Sequence, residues 1–266
     1  MSNYLRHPYH LVDESPWPIL ASMGGFILTT GFVEWFFLRN FLLAGVGLVI
    51  LFIRSYQWWR DIVREATYQG FHTKRVELGI RWGIILFIVS EIFFFLSFFW
   101  AFFHSRLRPR ECLGGFWPPR GIKPFDCFKV PLLNTLILLS SGVSVTWAHH
   151  AIMGGEVNKR KWGLVITVFL GVYFTGVQGL EYMESSFCIS DRAYGSTFFL
   201  ATGFHGLHVL VGTVFLVVTL VRHLHLNFRG ERHFGFEAAS WYWHFVDVVW
   251  LFLFVVVYWW GGEVAL

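Results

Sequence analysis

RWGIILFIVSEIFFFLSFFWAFFH, residues 81–104, decides the fold. The run is apolar for long enough to cross a bilayer as a helix, with Glu91 as its one acid. At about 1.5 Å per residue, Glu91 lies roughly 15 Å beyond Arg81, near the bilayer midplane. Its neighbours at three- and four-residue spacing are Phe87, Ile88, Phe94 and Phe95, so no cation on its own helix reaches it. An ionisable group at that depth is expensive, which makes Glu91 either functional or partnered by another helix. The expected arrangement is a hydrogen bond across helices, with His205 and His208 as the partners in view.

The rest of the chain agrees with a membrane reading. Of its 266 residues 55% are hydrophobic and 14% charged, against about 25% charged in soluble domains. The 31 Phe and 14 Trp exceed what a compact soluble fold can use. The formal charge of +4 is no nucleic-acid footprint, because the basic residues fall between apolar runs, where they set orientation and meet lipid phosphates. Cys112, Cys127 and Cys188 are far apart and in no metal-ligand spacing, so they read as thiols. Residues 1–18 are polar and proline-bearing, and no cleavable signal peptide is expected there.

Apolar runs predict seven helices at about 17–38, 41–59, 80–104, 130–152, 162–182, 195–221 and 238–261. Lipid offers the backbone no hydrogen bonds, and runs of this length satisfy that constraint as helices. The expectation is an all-α membrane protein, a single transmembrane domain over 1–266. Seven spans put the termini on opposite sides. Of the 21 basic residues, 13 fall on the N-terminal side, six of them in the 54–81 segment, which predicts the N-terminus inside. The 105–129 segment on the other side is rich in Pro and Gly and is expected to be irregular.

Three constellations carry chemistry. In YQWWRDIVREATYQGFH (56–72), Trp58 and Trp59 suit the membrane interface, Arg60, Arg64 and His72 suit phosphates, and Asp61 and Glu65 could accept from an ethanolamine amine. Spacing alone favours an ordinary aromatic and basic flank. In GFHGLH (203–208), His205 and His208 share a helix face, while the adjacent His149 and His150 diverge. Such imidazoles more often bond another helix than hold a metal. FGFEAASWYWHFVDVVW (234–250) carries Glu237, His244 and Asp247, with His244 and Asp247 spaced to pair. These acids and histidines either relay protons or fix the bundle, and their scatter over several helices favours an interhelical polar network. No phosphate loop, nucleophile triad, paired-cysteine zinc site or haem-attachment motif is present in the sequence.

The chain resembles the cytochrome c oxidase subunit III family. The resemblance rests on SPWP (15–18), YQWWRDIVRE (56–65), ILFIVSEIFFFLSFFWAFFH (85–104), WPP (117–119), VPLLNT (130–135), SGVSVTWAHH (141–150), GVYFT (171–175), ISDRAYGSTFFLATGFHGLHVLVG (189–212) and HFGFEAASWYWHFVDVVWLF (233–252). These run in family order through nearly the whole chain, and the look is that of an animal mitochondrial form.

The resemblance implies seven helices in two groups, 1–2 and 3–7, around a V-shaped cleft that holds phospholipid. It implies a non-redox subunit beside subunit I of a proton-pumping, oxygen-reducing oxidase, with haem a, haem a3 and copper in partner subunits and no metal in this chain. It implies the mitochondrial inner membrane, with the N-terminus in the matrix and the C-terminus in the intermembrane space. Other oxidase subunits are implied partners, with a respiratory supercomplex as a further assembly. The family's carbodiimide-reactive carboxylate falls on Glu91. Its lipid positions fall on Trp59, Arg64, Glu65 and His72, beside Trp58. A cardiolipin-linked position falls on Arg222, and His225 stands where the family has a nearby Lys. Phosphatidylethanolamine and cardiolipin are the implied lipids. From the residues alone, a proton-coupled polytopic transporter using Glu91 is the alternative.

Overall fold

The computed structural model describes residues 7–109, 115–225 and 233–262. Cys112 lies outside these residues, as do Arg6, Arg110, Arg229 and Arg232 of the charge count. The described chain is helical, without strands. Its helices are α1 (Trp17–Leu38), α2 (Leu42–Thr67), α3 (Lys74–Leu107), α4 (Val130–Met153), α5 (Val157–Met183), α6 (Arg192–Leu224) and α7 (Phe234–Leu253). A π-helical segment, Phe254–Trp260, continues α7. All seven, α7 with its π continuation, are long and apolar enough to cross a membrane.

Several helices outrun their apolar cores. The 54–81 segment, expected to link spans, is mostly helix, and only residues 68–73 separate α2 from α3. Arg60, Asp61, Arg64 and Glu65 are long or ion-pairing side chains that extend the helix into the polar zone, with Asp61 bridged by Arg60 at 3.0 Å. Gly70 then ends it. Its φ of +71° turns the chain, and Phe71 N–H donates back to Glu65 O at 3.1 Å.

The chain divides into two compact units, one reaching to Ile80 and one from Arg81 onward. The first is essentially the α1–α2 hairpin. The hairpin turns at Arg39, whose backbone is left-handed at φ 58°. Asn40 ties the turn, donating to Glu34 Oε1 at 3.0 Å and accepting from Leu42 N–H at 3.1 Å. Thus Glu34, the acid that interrupts the first apolar run, is a turn partner. Gly24, Gly31 and Gly47 let the two backbones touch. A Cβ on Gly31 would collide with the main chain of Leu43 and Ala44, and one on Gly47 with that of Ile27 and Leu28. Close backbone approach of this kind drives helix pairing in lipid, where exclusion from water contributes nothing.

The second unit is built around α7. Trp243 and Trp250 are fully buried and reach the neighbouring helices. Trp243 donates to Ser141 on α4 at 2.9 Å, and Trp250 to Thr135 on α4 at 2.9 Å. The Trp243 ring fills the space left by Gly171 on α5 and Gly212 on α6. Helices α4 and α5 meet at Gly163, against Ala148, and Ser144 bonds Thr167 at 2.7 Å. Helix α3 docks by its rings: Phe94 on Phe204 and Phe95 on Phe245. The irregular 115–129 stretch is not loose. Trp117 is buried against Phe102 and Tyr194 and donates to Gly261 O at 3.1 Å, while Phe125 packs on Phe187 and Phe198.

Candidate functional site

Glu91 sits at the middle of α3, and its Oε2 lies 3.0 Å from His208 Nε2 on α6. The second ring nitrogen defines the chemistry. His208 Nδ1 is 2.7 Å from the carbonyl oxygen of Phe204, which can only accept, so Nδ1 carries a hydrogen. Nε2 is therefore the variable atom, and it shares one proton with the Glu91 carboxyl. Rings of Phe94, Phe95, Phe245 and Tyr242 surround the imidazole. His205, one helical turn earlier, does not join this pair. It is wholly buried and donates from Nε2 to Val246 O on α7 at 3.2 Å.

The remaining polar residues of the bundle form separate clusters. Glu237 in the first turn of α7 meets His233 Nε2 at 3.2 Å and Arg81 on α3 at 2.8 Å. The His149 ring from α4 stands against the His233 ring at 5.9 Å. His244 Nδ1 and Asp247 Oδ2 are 3.9 Å apart, too far for a hydrogen bond, and Thr146 lies 3.4 Å from His244 Nε2. The buried Asp247 carboxylate rests on Gly142 instead. The six network residues thus divide among four places: His208 with Glu91, His205 on the α7 backbone, His149 with Glu237, and His244 beside Asp247.

Sequence reasoning missed three participants. Arg81 and His233 join Glu237: His233 stands four residues before it, a spacing that could have signalled the pair, whereas no spacing rule reveals the Arg81 contact across 156 residues of chain. Glu181 near the end of α5 is buried and accepts from Tyr258 of the π-helical segment at 3.3 Å. The rule that singled out Glu91, an acid within an apolar run, applies to Glu181 as well.

Five of the lipid candidates, Trp58, Trp59, Arg64, Glu65 and His72, lie in the first unit, and Arg222 and His225 lie in the second. A cleft of about 240 Å³ is lined by residues that include Asp13, Glu14, Trp17, Trp58, Asp61, Arg64 and Glu65. Asp61 is the hub, accepting from Trp17 Nε1 at 2.7 Å and from Arg60, with Arg64 at 3.9 Å. Trp59 is exposed. Glu65 faces His10 at 3.9 Å, and the His10 ring lies 5.8 Å from that of His72. Burial, and after it His10, hold the His72 imidazole below its ordinary value, against the pull of Glu65 and Glu77. His72 therefore offers a headgroup an N–H more readily than a full charge. Arg222 lies in the last turn of α6, and His225 caps that helix in an exposed position.

The family described as cytochrome c oxidase subunit III matches residues 7–262. The cytochrome c oxidase subunit 3 of Ornithorhynchus anatinus is 60% identical over 256 residues, covering 96% of this chain and 98% of that protein. The proteins of the same name from Anopheles gambiae and Drosophila melanogaster are each 58% identical over 262 residues, covering 98% of this chain and 100% of theirs.

Proposed function

The chain belongs to the cytochrome c oxidase subunit III family, and on that premise we propose that it supports subunit I without a redox centre of its own, through a locked mid-membrane acid and a lipid-holding cleft. It is a core subunit of the proton-pumping oxidase and a multi-pass membrane protein. The transporter alternative finds no support, since the matched family and relatives are oxidase subunits. In this reading haem a, haem a3 and copper belong to partner subunits.

One observation carries the proposal: Glu91 bonded to His208 at 3.0 Å. With Nδ1 committed to Phe204 O, the pair holds one proton and is neutral overall whichever atom bears it. Nδ1 is tied to the carbonyl of its own helix, so the imidazole cannot hand a proton onward from that atom without breaking the Phe204 bond. The pair is thus a lock between α3 and α6 and a poor relay. Glu91→Gln preserves the bond, because the amide can donate to Nε2. The assembled variant complex should keep its haem content and most of its oxygen reduction, and lose carbodiimide labelling of this chain. Loss of oxygen reduction in a fully assembled Glu91→Gln oxidase would overturn the lock and make Glu91 part of an obligatory proton path. Glu91→Leu, by contrast, leaves Nε2 unpartnered at a cost of about 1–3 kcal/mol and should lower thermal stability.

The cleft is read as a phospholipid headgroup site, with Arg64 toward phosphate and Glu65 toward an ethanolamine amine. A charge-assisted bond to phosphate contributes about 1.5–3 kcal/mol. Arg64→Ala should reduce the phospholipid retained per complex, counted by mass spectrometry, and speed inactivation during turnover. Unchanged lipid stoichiometry would remove the reading.

Animal relatives and the 13-to-8 basic asymmetry support the mitochondrial inner membrane with the N-terminus in the matrix. Residues 68–73 then face the matrix and 115–129 the intermembrane space. A membrane-impermeant amine reagent should label the exposed Lys123 and Lys129 in intact mitoplasts, and labelling only in inverted vesicles would reverse the orientation.

A further inference from the structure

The cluster at the start of α7 has a donor set that neither the lock nor the lipid cleft uses. His149, His233 and Glu237 each offer one ligand atom, and the three atoms lie within 4.8 Å of one another. Their supports differ. His233 is the N-cap of α7 and Glu237 follows four residues later in its first turn, and His149 comes from the last turns of α4. The His233 Nε2 to Glu237 Oε1 distance is 3.2 Å. Two ligands on a tetrahedral zinc, each bonded at about 2.0–2.2 Å, stand roughly 3.3–3.5 Å apart. One edge of the coordination polyhedron therefore already exists. The third ligand needs a shift of about an ångström, within reach of an imidazole near a helix end.

We propose that His149, His233 and Glu237 form a reversible zinc-binding site that joins the end of α4 to the start of α7, with Arg81 steadying the carboxylate. Two imidazoles and one carboxylate suit zinc, and this set leaves a fourth position for water. Arg81 holds Glu237 Oε2 at 2.8 Å and leaves Oε1 for the ion, the outer contact that fixes a ligating carboxylate. The same guanidinium repels a cation, so occupancy is exchangeable. Arg81 also lies 5.8 Å from the Phe234 and Trp241 rings, which help to hold its guanidinium on Oε2. The last turn of α4 contributes the negative end of a helix dipole, in favour of the ion, and the start of α7 a positive end that opposes it and adds to its exchangeability.

The test uses the purified oxidase complex, treated with chelator and equilibrated with zinc chloride. Bound zinc is counted in the wild-type complex and in His149→Gln, His233→Gln and His150→Gln variants. His150 is exposed and lies outside the cluster, so its variant is the control. One exchangeable zinc should be lost, or its Kd raised at least about tenfold, in the first two and retained in the third. Equal stoichiometry and affinity in all variants would overturn the site. Should the variants fail to assemble, anomalous diffraction from zinc-soaked wild-type complex decides the matter: density between His149 and Glu237 supports the site, and its absence refutes it.

Discussion

Replacing Trp243 with alanine is expected to give the largest loss of stability of any single change in the second unit. The side chain is fully buried on α7 and touches three other helices: Ser141 on α4 through its N–H, Gly171 on α5 and Gly212 on α6 through its ring. Truncating a buried tryptophan costs about 3–5 kcal/mol in protein cores. In lipid the packing part of that cost dominates, because the glycines opposite cannot collapse into the void. Trp243→Phe keeps most of the ring and loses one hydrogen bond, about 1 kcal/mol. Thermal release of this chain from the detergent-solubilised oxidase should therefore rank wild type above Trp243→Phe, and Trp243→Phe well above Trp243→Ala. Equal behaviour of the two variants would show that the ring does not bridge the helices.

Gly47→Leu should be comparably severe in the first unit. A Cβ at this position runs into the backbone of Ile27 and Leu28, and backbone cannot rotate aside as a side chain can. Overpacking costs about 1–3 kcal/mol where neighbours can shift, and the hairpin must instead separate its helix axes. Gly25→Leu is the matched control, since nothing lies within 4 Å of a Cβ there. The amount of chain recovered in assembled oxidase should fall sharply for Gly47→Leu and stay near wild type for Gly25→Leu. Similar recovery of both would mean that the α1–α2 contact tolerates widening.

The sequence disclosed what depends on periodicity and depth. Seven spans follow from apolar runs, and the need of Glu91 for a partner on another helix follows from its position amid Phe87, Ile88, Phe94 and Phe95. Which imidazole met it did not follow, because His205 and His208 lie one turn apart and only the rotation of α6 against α3 and α7 separates them. The polar extensions of α2 and α3 were hidden because hydropathy ends where the membrane does, while helix propensity and ion pairs continue. The ordering of residues 115–129 was hidden for the opposite reason. Pro and Gly mark irregular backbone, yet Trp117 and Phe125 anchor it in a buried aromatic cluster. The His149, His233, Glu237 and Arg81 grouping required knowing that α3, α4 and α7 bring those turns together, which no local pattern encodes.

The glycine contacts of the hairpin also bear on the order in which the chain can be made. Translation delivers α1 and α2 before the helices of the second unit, and segments nearer the N-terminus fold as they emerge. The glycine contacts that join these two helices lie between residues 24 and 51, so the pair can leave the insertion machinery already closed. The second unit has no such head start. Its central tryptophans are on α7, which follows α4, α5 and α6 in the chain, and those helices lack their common filler until it arrives. A nascent chain with a faulty hairpin is therefore exposed to quality control early, during elongation. A fault at Trp243 comes to light only after α4, α5 and α6 have been made, when those helices fail to close.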